Sequence, residues 1–265
     1  MSDGFLAFAP DVAGHSDGFC NEYFPELARL EEKNFWFSAR SDLISWVLRT
    51  YASDCQSVLE IGCGTGFMLS AVNRVLPNVK LAGSEVLSAG LPFASKRVPT
   101  AQLFQMDARR IPFVEEFDVI GAFDVLEHIR EDELVLDQMR KALVPSGRIV
   151  VTVPQHGFLW SQQDEFAHHV RRYERGELER KVAAVGFRIE LSTSFVSLLL
   201  PLQIVSRLRK RCPSRDFDVM AELRIGPILN SFLERVMELE LALIRAGWHF
   251  GFGGSRLLVA SKREL

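Results

Sequence analysis

Apolar and polar positions along this chain switch between two periods. Residues 58–61, apolar apart from the acid Glu60, run into Gly62, Gly64 and Gly66, one glycine at every second position, which predicts a buried strand breaking into a tight turn. Helical spacing follows over 67–75. Strand-length apolar runs recur at 79–84, 101–105, 117–123, 148–153 and 187–192, with helical spacing over 131–143 and 174–185. Such alternation predicts a parallel sheet with helices on both faces. Upstream, 22–30 and 41–50 are spaced as helices, whereas 2–16 has little periodicity and reads as a mobile or lid-like leader. Downstream, the apolar run 197–205 and a long helical pattern over 228–246 interrupt the alternation before a last strand at 256–260. The chain therefore divides into a leader with helices forming a lid (1–50), a core (51–195), a helical insertion (196–250) and the last strand of the core (251–265).

Length and charge narrow this picture. At 265 residues the chain has room for one large α/β domain with an elaboration. A net charge of −3 offers no broad basic surface for nucleic acid. Cys20, Cys55, Cys63 and Cys212 are scattered with no C-x-x-C pair, which fits a reduced, cytoplasmic protein without disulfides or a structural zinc. The first ten residues lack the features of a secretory signal, and no apolar stretch has the length of a spanning helix.

The glycine turn carries the first chemical signal. A dinucleotide site wants G-x-G-x-x-G, and here the third glycine comes one residue early. Glu60, just before the turn, would repel a diphosphate and suits a cation. Glu60, Gly62, Gly64 and Gly66 resemble motif I, E/D-x-G-x-G-x-G, of the class I S-adenosylmethionine-dependent methyltransferases. The resemblance implies a Rossmann-like, doubly wound, seven-stranded sheet, mostly parallel with an antiparallel last strand, and a loop cradling the methionine part of the cofactor while Glu60 serves its ammonium. Glu85, at the tip of the next strand, is placed to hold a ribose diol. In the family an acid after the third strand meets the adenine amino group, a role that falls to Asp107, with the Ala108 N–H on a ring nitrogen. Cys63, Val86, Phe123 and Asp124 complete the expected cofactor contacts. The run Phe35-Trp36-Phe37-Ser38-Ala39-Arg40 is similar to the aromatic cluster and arginine that precede motif I in many small-molecule methyltransferases. That likeness implies Arg40 on the cofactor carboxylate and Trp36 closing the site; the plainer reading docks a helix through its aromatics.

The segment Phe123-Asp124-Val125-Leu126-Glu127-His128 resembles the ubiquinone-biosynthesis type and its relatives, and lacks the motifs of base-modifying methyltransferases. Asp124, Glu127 and His128 are the residues a divalent cation would use in relatives with E-x-x-E-H there. Acid plus histidine at that spacing more often caps and packs, so no metal is expected. His128 is then a pocket floor residue. The loop through Trp160 borders the methyl donor, and the run His168-His169-Val170-Arg171-Arg172-Tyr173 resembles an H-V-R-R-Y pattern of relatives. His169 is the leading base candidate and His168 the second. Arg172 and Tyr173, with Trp36, His128 and Trp160, are the expected substrate contacts; the plainer alternative makes the histidines caps and the arginines a solvated face. The implied activity is methyl transfer from S-adenosylmethionine to a small organic acceptor, at a hydroxyl or carboxyl oxygen, yielding S-adenosylhomocysteine. The rivals are a non-catalytic S-adenosylmethionine-binding or scaffold protein and, less favoured, a nicotinamide oxidoreductase. The insertion reads as a lid over a greasy acceptor or as plain packing, ahead of a membrane patch with Arg207, Arg209, Lys210 and Arg211 toward lipid; a homodimer surface is a further use.

Overall fold

The computed structural model describes residues 3–13, 23–209 and 223–263. At its centre β2 (Ser57–Ile61) is buried along its whole length between parallel neighbours β3 (Lys80–Glu85) and β5 (Phe117–Phe123). Next to β3 lies β4 (Gln102–Gln105), and next to β5 lies β6 (Leu143–Pro154), both parallel. The antiparallel β8 (Ser255–Lys262) sits between β6 and β7 (Phe187–Phe195), so the last strand in sequence is not the last in the sheet. These seven strands are the expected ones.

An eighth corrects the sequence reading. In the leader, β1 (Leu6–Ala7) adds to the sheet edge parallel to β4, pairing Leu6 with Phe104. Gln105 fixes it: its carbonyl accepts the Phe8 N–H (2.8 Å) and its side-chain oxygen the Ala9 N–H (3.1 Å). Phe8 then packs on the rings of Phe104 and Phe113. The described leader is thus a sheet edge; residues 14–16 lie outside the described residues.

One face of the sheet is covered by α2 (Phe35–Tyr51), α3 (Phe67–Val75), α4 (Leu91–Arg97) and α9 (Pro227–Arg245), the other by α5 (Asp132–Ala142) and α7 (Glu177–Ala184). The aromatic run with Arg40 is the start of α2 rather than a connector. Asn34 caps it, its side-chain oxygen accepting the Trp36 N–H at 2.9 Å. Within the insertion, α9 lies along α2 and buries Leu233, Met237, Leu241 and Ile244, leaving Ile228, Leu229 and Phe232 exposed. The Asn230 side chain accepts the Phe35 N–H (2.9 Å), and Asn34 donates to the Leu223 carbonyl (3.0 Å). Its other helix, α8 (Leu200–Arg209), carries Pro201 in the first turn, where no intrahelical N–H is needed. Lys210 and Arg211 lie outside the described residues, as do Cys20 and Cys212; Cys55 and Cys63 are free thiols. Among the described residues no helix is long and apolar enough to cross a membrane.

Candidate active site

The carboxyl ends of the parallel strands open on one cleft of about 1150 Å³. In an open α/β sheet this is the place where ligands collect. Its floor is the loop between β2 and α3. Gly64 has φ of +51°, and a Cβ there would meet nothing within 4 Å, so the bare backbone faces the cleft. Gly66 has φ of +78° for a different reason: a Cβ would come within 2.6 Å of the Ala94 Cα, and glycine lets α3 and α4 close on each other.

Residue 65 pins the loop to α1 (Phe24–Leu30) and the turn after it. The Thr65 hydroxyl bonds Glu31 at 2.6 Å, and the Arg97 guanidinium donates to both Glu31 (2.5 Å) and Thr65 Oγ1 (2.8 Å). Burial pushes the Glu31 carboxyl above its ordinary range against the pull of Thr65 and Arg97. Sequence reading singled out none of these three; they are far apart in the chain and share no local pattern.

Acids stand at successive strand ends. The Glu85 carboxylate accepts N–H groups from Gly64 (2.9 Å), Val86 (2.8 Å) and Leu87 (3.2 Å). Burial raises it while these three donors pull it back. A carboxylate offers about four acceptor positions, so one remains for a ligand hydroxyl. Asp107 faces the same cleft, raised by burial but brought below its usual range by Arg109, which grips it at 2.8 and 3.0 Å. Asp124 ends β5 in the left-handed region, φ +57°, paired with Arg40 and accepting the Thr152 hydroxyl at 3.3 Å. Strain of this kind persists at functional sites because the surroundings over-determine it.

The structure sorts the expected residues into two groups. Gly62, Gly64, Glu85, Val86, Asp107, Ala108, Asp124, His128, Trp160, His168 and His169 line the cleft. Glu60, Cys63, Gly66, Phe123, Trp36 and Arg40 do not reach its surface. Arg40 is engaged by Asp124 and lies 4.3 Å over the Trp36 ring, so neither side chain stands free in the cleft. Glu60 is 2% exposed, with Oε2 lacking any partner. Burial lifts its carboxyl well above the ordinary range; Arg40 works downward, Glu85 and Glu31 upward.

Two substrate expectations are corrected. The Tyr173 ring is buried in the core on the α5 side and its hydroxyl donates to Asp132 at 2.7 Å. Arg172 is spent on Asp164, Nε to Oδ1 at 2.7 Å and a terminal nitrogen to Oδ2 at 3.1 Å. Neither lines the cleft. The residue that organises this corner is Asp164, in α6 (Gln162–Phe166), which sequence reading passed over. A serine three residues before it, Ser161, is the signal that would have marked it as a helix-start acid.

His169 faces the cleft with Nδ1 2.8 Å from Asp164 Oδ1 and Nε2 4.0 Å from Glu127 Oε1. The His128 ring meets it edge-on at 4.7 Å, held neutral to about pH 3 by burial and by the neighbouring histidines. Both Glu127 oxygens are buried without partners, and burial raises that carboxyl well above its range. Glu127, His128 and His169 each offer a ligand atom within 4.8 Å of the others. Two imidazoles and a carboxylate suit a divalent cation as well as a proton. Asp124, expected in any such group, is instead turned to Arg40.

A family model described as a methyltransferase domain matches residues 22–192. The chain belongs to this methyltransferase family. Among curated relatives, a "Probable S-adenosylmethionine-dependent methyltransferase" of Mycolicibacterium smegmatis is 24% identical over 164 residues, 61% of this chain and 62% of that one. The chain thus spans less than two thirds of that relative. Among solved structures, phosphoethanolamine N-methyltransferase 2 of Haemonchus contortus in complex with S-adenosyl-L-methionine superposes with a TM-score of 0.56 at 18% identity, covering 84% of this chain and 52% of that one. The [4+2]-cyclase SpnF superposes with a TM-score of 0.57 at 20% identity, covering 86% and 83%. Such identities establish a shared methyltransferase fold, and the cyclase is a reminder that the fold alone does not fix the chemistry.

Proposed function

We propose that the protein transfers a methyl group from S-adenosylmethionine to a small organic acceptor, at a hydroxyl oxygen in preference to a carboxyl oxygen. The observation that carries this is the charge of the cleft. Asp11, Glu85, Asp107, Asp124, Glu131 and Glu165 line it against two arginines, Arg130 and Arg109, the latter held by Asp107. A cationic ligand fits such a wall; a nicotinamide diphosphate does not. The residues present fit the cofactor: Glu60 Oε2 is a buried acceptor with no partner, and the Gly64 backbone is open. Glu60 and the glycine loop would hold its amino-acid end, Glu85 its ribose and Asp107 with the Ala108 N–H its adenine. When bound, the cofactor supplies an electrophilic methyl carbon on a cationic sulfur. The protein's part is to align the acceptor and take its proton. Cleft-facing His169 is the base, with His168 second, and His128 and Trp160 border the acceptor. A carboxylate acceptor would need no base and would meet the same acidic wall.

The helices between residues 24 and 51 act as cover, tied to the loop through Glu31 and Thr65, and α9 of the insertion braces that cover through Asn230. A non-catalytic binding protein of the same fold is the second reading. Isothermal titration with S-adenosylmethionine and S-adenosylhomocysteine, followed by assay of S-adenosylhomocysteine release over hydroxyl, carboxyl and amine acceptors, tests both. Saturable binding with turnover on hydroxyl acceptors is expected. Binding with no turnover on any of them gives the second reading, and no binding removes both.

A further inference from the structure

Asp164 is 1% exposed and makes contacts on every side of its carboxylate. Oδ1 meets His169 Nδ1 (2.8 Å) and Arg172 Nε (2.7 Å); Oδ2 accepts from the Ser161 N–H and hydroxyl (both 2.9 Å) and from Arg172 (3.1 Å). Burial alone would raise this carboxyl, but His169 and Arg172 carry it far below its usual range, so it is an anion. An ionised carboxylate can only accept hydrogen bonds. When the His169 ring is neutral its hydrogen must therefore be on Nδ1, which leaves a bare lone pair on Nε2, 4.0 Å from Glu127 Oε1.

The backbone holds the ring from two directions. The His169 N–H donates to the Asp164 carbonyl (2.8 Å), and the Val170 N–H to the Glu127 carbonyl (2.8 Å). The His128 ring closes a third side. From the elements packed around it, His169 thus faces Asp164 and Arg172 on one edge and Glu127 and His128 on the other.

We infer that Asp164 is a positioning residue for methyl transfer: it sets the tautomer and aim of His169, and Arg172, the arginine of the His169-Val170-Arg171-Arg172 run, exists to lock Asp164 rather than to bind substrate. This rests on the proposed function above. The acceptor hydroxyl gives its proton to Nε2, the imidazolium so formed is stabilised by Asp164, and the proton then passes to water. Fixing the tautomer is what makes Nε2 able to accept.

The test joins ¹⁵N NMR of the histidine rings with kinetics on Asp164→Asn. In the wild-type protein, the His169 signals should report a protonated Nδ1 and a bare Nε2. The amide of Asp164→Asn can donate to Nδ1, so the ring should move toward the Nε2–H form. On whichever hydroxyl acceptor turns over, kcat should fall on the order of 10²- to 10⁴-fold, the usual worth of a positioned base, with KM and S-adenosylmethionine affinity within a few-fold. Arg172→Lys should give a smaller loss in kcat with the same pattern. A wild-type ring already in the Nε2–H form overturns the inference without any acceptor in hand, even if the variant fails to fold. So does an unchanged kcat in folded Asp164→Asn, or activity abolished by a chelator and restored by a divalent cation, which would make His169 a ligand. Loss of S-adenosylmethionine binding in the wild-type protein would sink the proposed function while leaving the NMR result standing.

Discussion

Glu60→Gln should make the free protein more stable and the enzyme worse at holding its cofactor. The glutamate is buried with one oxygen unpartnered, and its carboxyl is raised well above the ordinary range mainly by burial. With the folded value above the unfolded one, the native state keeps a proton that the unfolded chain gives up near its ordinary value, about 4.3. Stability contributed by that proton is complete below the unfolded value and is lost as pH rises toward the folded one. The slope is about 1.4 kcal/mol per pH unit for one proton. Between the unfolded value and the folded one the glutamate therefore costs the free protein stability relative to a neutral isostere, by up to about 1.4 kcal/mol for each pH unit, with Arg40 working against the shift. In a chain of this size about 1.4 kcal/mol corresponds to roughly 3–6 °C in Tm. Differential scanning calorimetry of both proteins at about pH 4 and 7 should show the curves closest at the lower pH and the variant further ahead at the higher. Glu31, Glu85 and Glu127 are also raised, so the wild-type slope is larger than one proton; the difference between the two proteins isolates Glu60. In the same variant S-adenosylmethionine affinity should drop roughly 10- to 150-fold, the worth of a hydrogen bond to a charged group. Equal pH slopes would mean that Glu60 is ionised in the free protein. Equal affinities would mean that it never meets the ammonium.

Other substitutions probe the remaining parts of the site. Gly64→Arg puts a long side chain into open cleft at a positive φ, and titration calorimetry should find S-adenosylmethionine binding abolished. Glu85→Ala removes the acceptor of three N–H groups as well as the ribose contact, so affinity should fall at least tenfold, with the larger loss for ligands that keep the diol. His169→Ala should leave cofactor affinity within a few-fold and lower kcat by roughly 10²-fold or more; unchanged turnover would remove it as the base.

The parts of the fold that could be read from sequence are those whose stability is recorded locally. A central parallel strand buried on both faces must be apolar throughout, and residues 58–61 are, apart from Glu60. The acids at strand tips were legible because a polar residue ending a buried run has few structural reasons to be there; Glu85, Asp107 and Asp124 all line the cleft. β1 was not legible, since a two-residue strand has no period to show and owes its place to Gln105, 98 residues away from Ala7 in sequence by simple difference of their numbers. The first turns of α2 were marked by Asn34, but three aromatics in a row drew attention to a site instead of a cap.

The misreadings at the site have a common physical origin. Arg40, Arg172 and Tyr173 have the side chains that bind ligands, and each is bound by an acid of its own chain: Asp124, Asp164 and Asp132. Residue type states what a group can bond; only the packed structure states what it does bond, because a buried donor left unpaired costs about 1–3 kcal/mol and the nearest acid claims it. The reverse holds for Glu60 and Glu127: the strand pattern marked Glu60 as buried, but nothing in the sequence marked either carboxyl as left with unpartnered oxygens. A fold that leaves two carboxyls with unpartnered oxygens beside one cleft has placed unmet hydrogen-bonding capacity where a ligand can supply the partner. If Glu60→Gln and Glu127→Gln both stabilise the free protein while only the first weakens S-adenosylmethionine binding, the two carboxyls serve different ligands: the cofactor at Glu60, and the acceptor at Glu127.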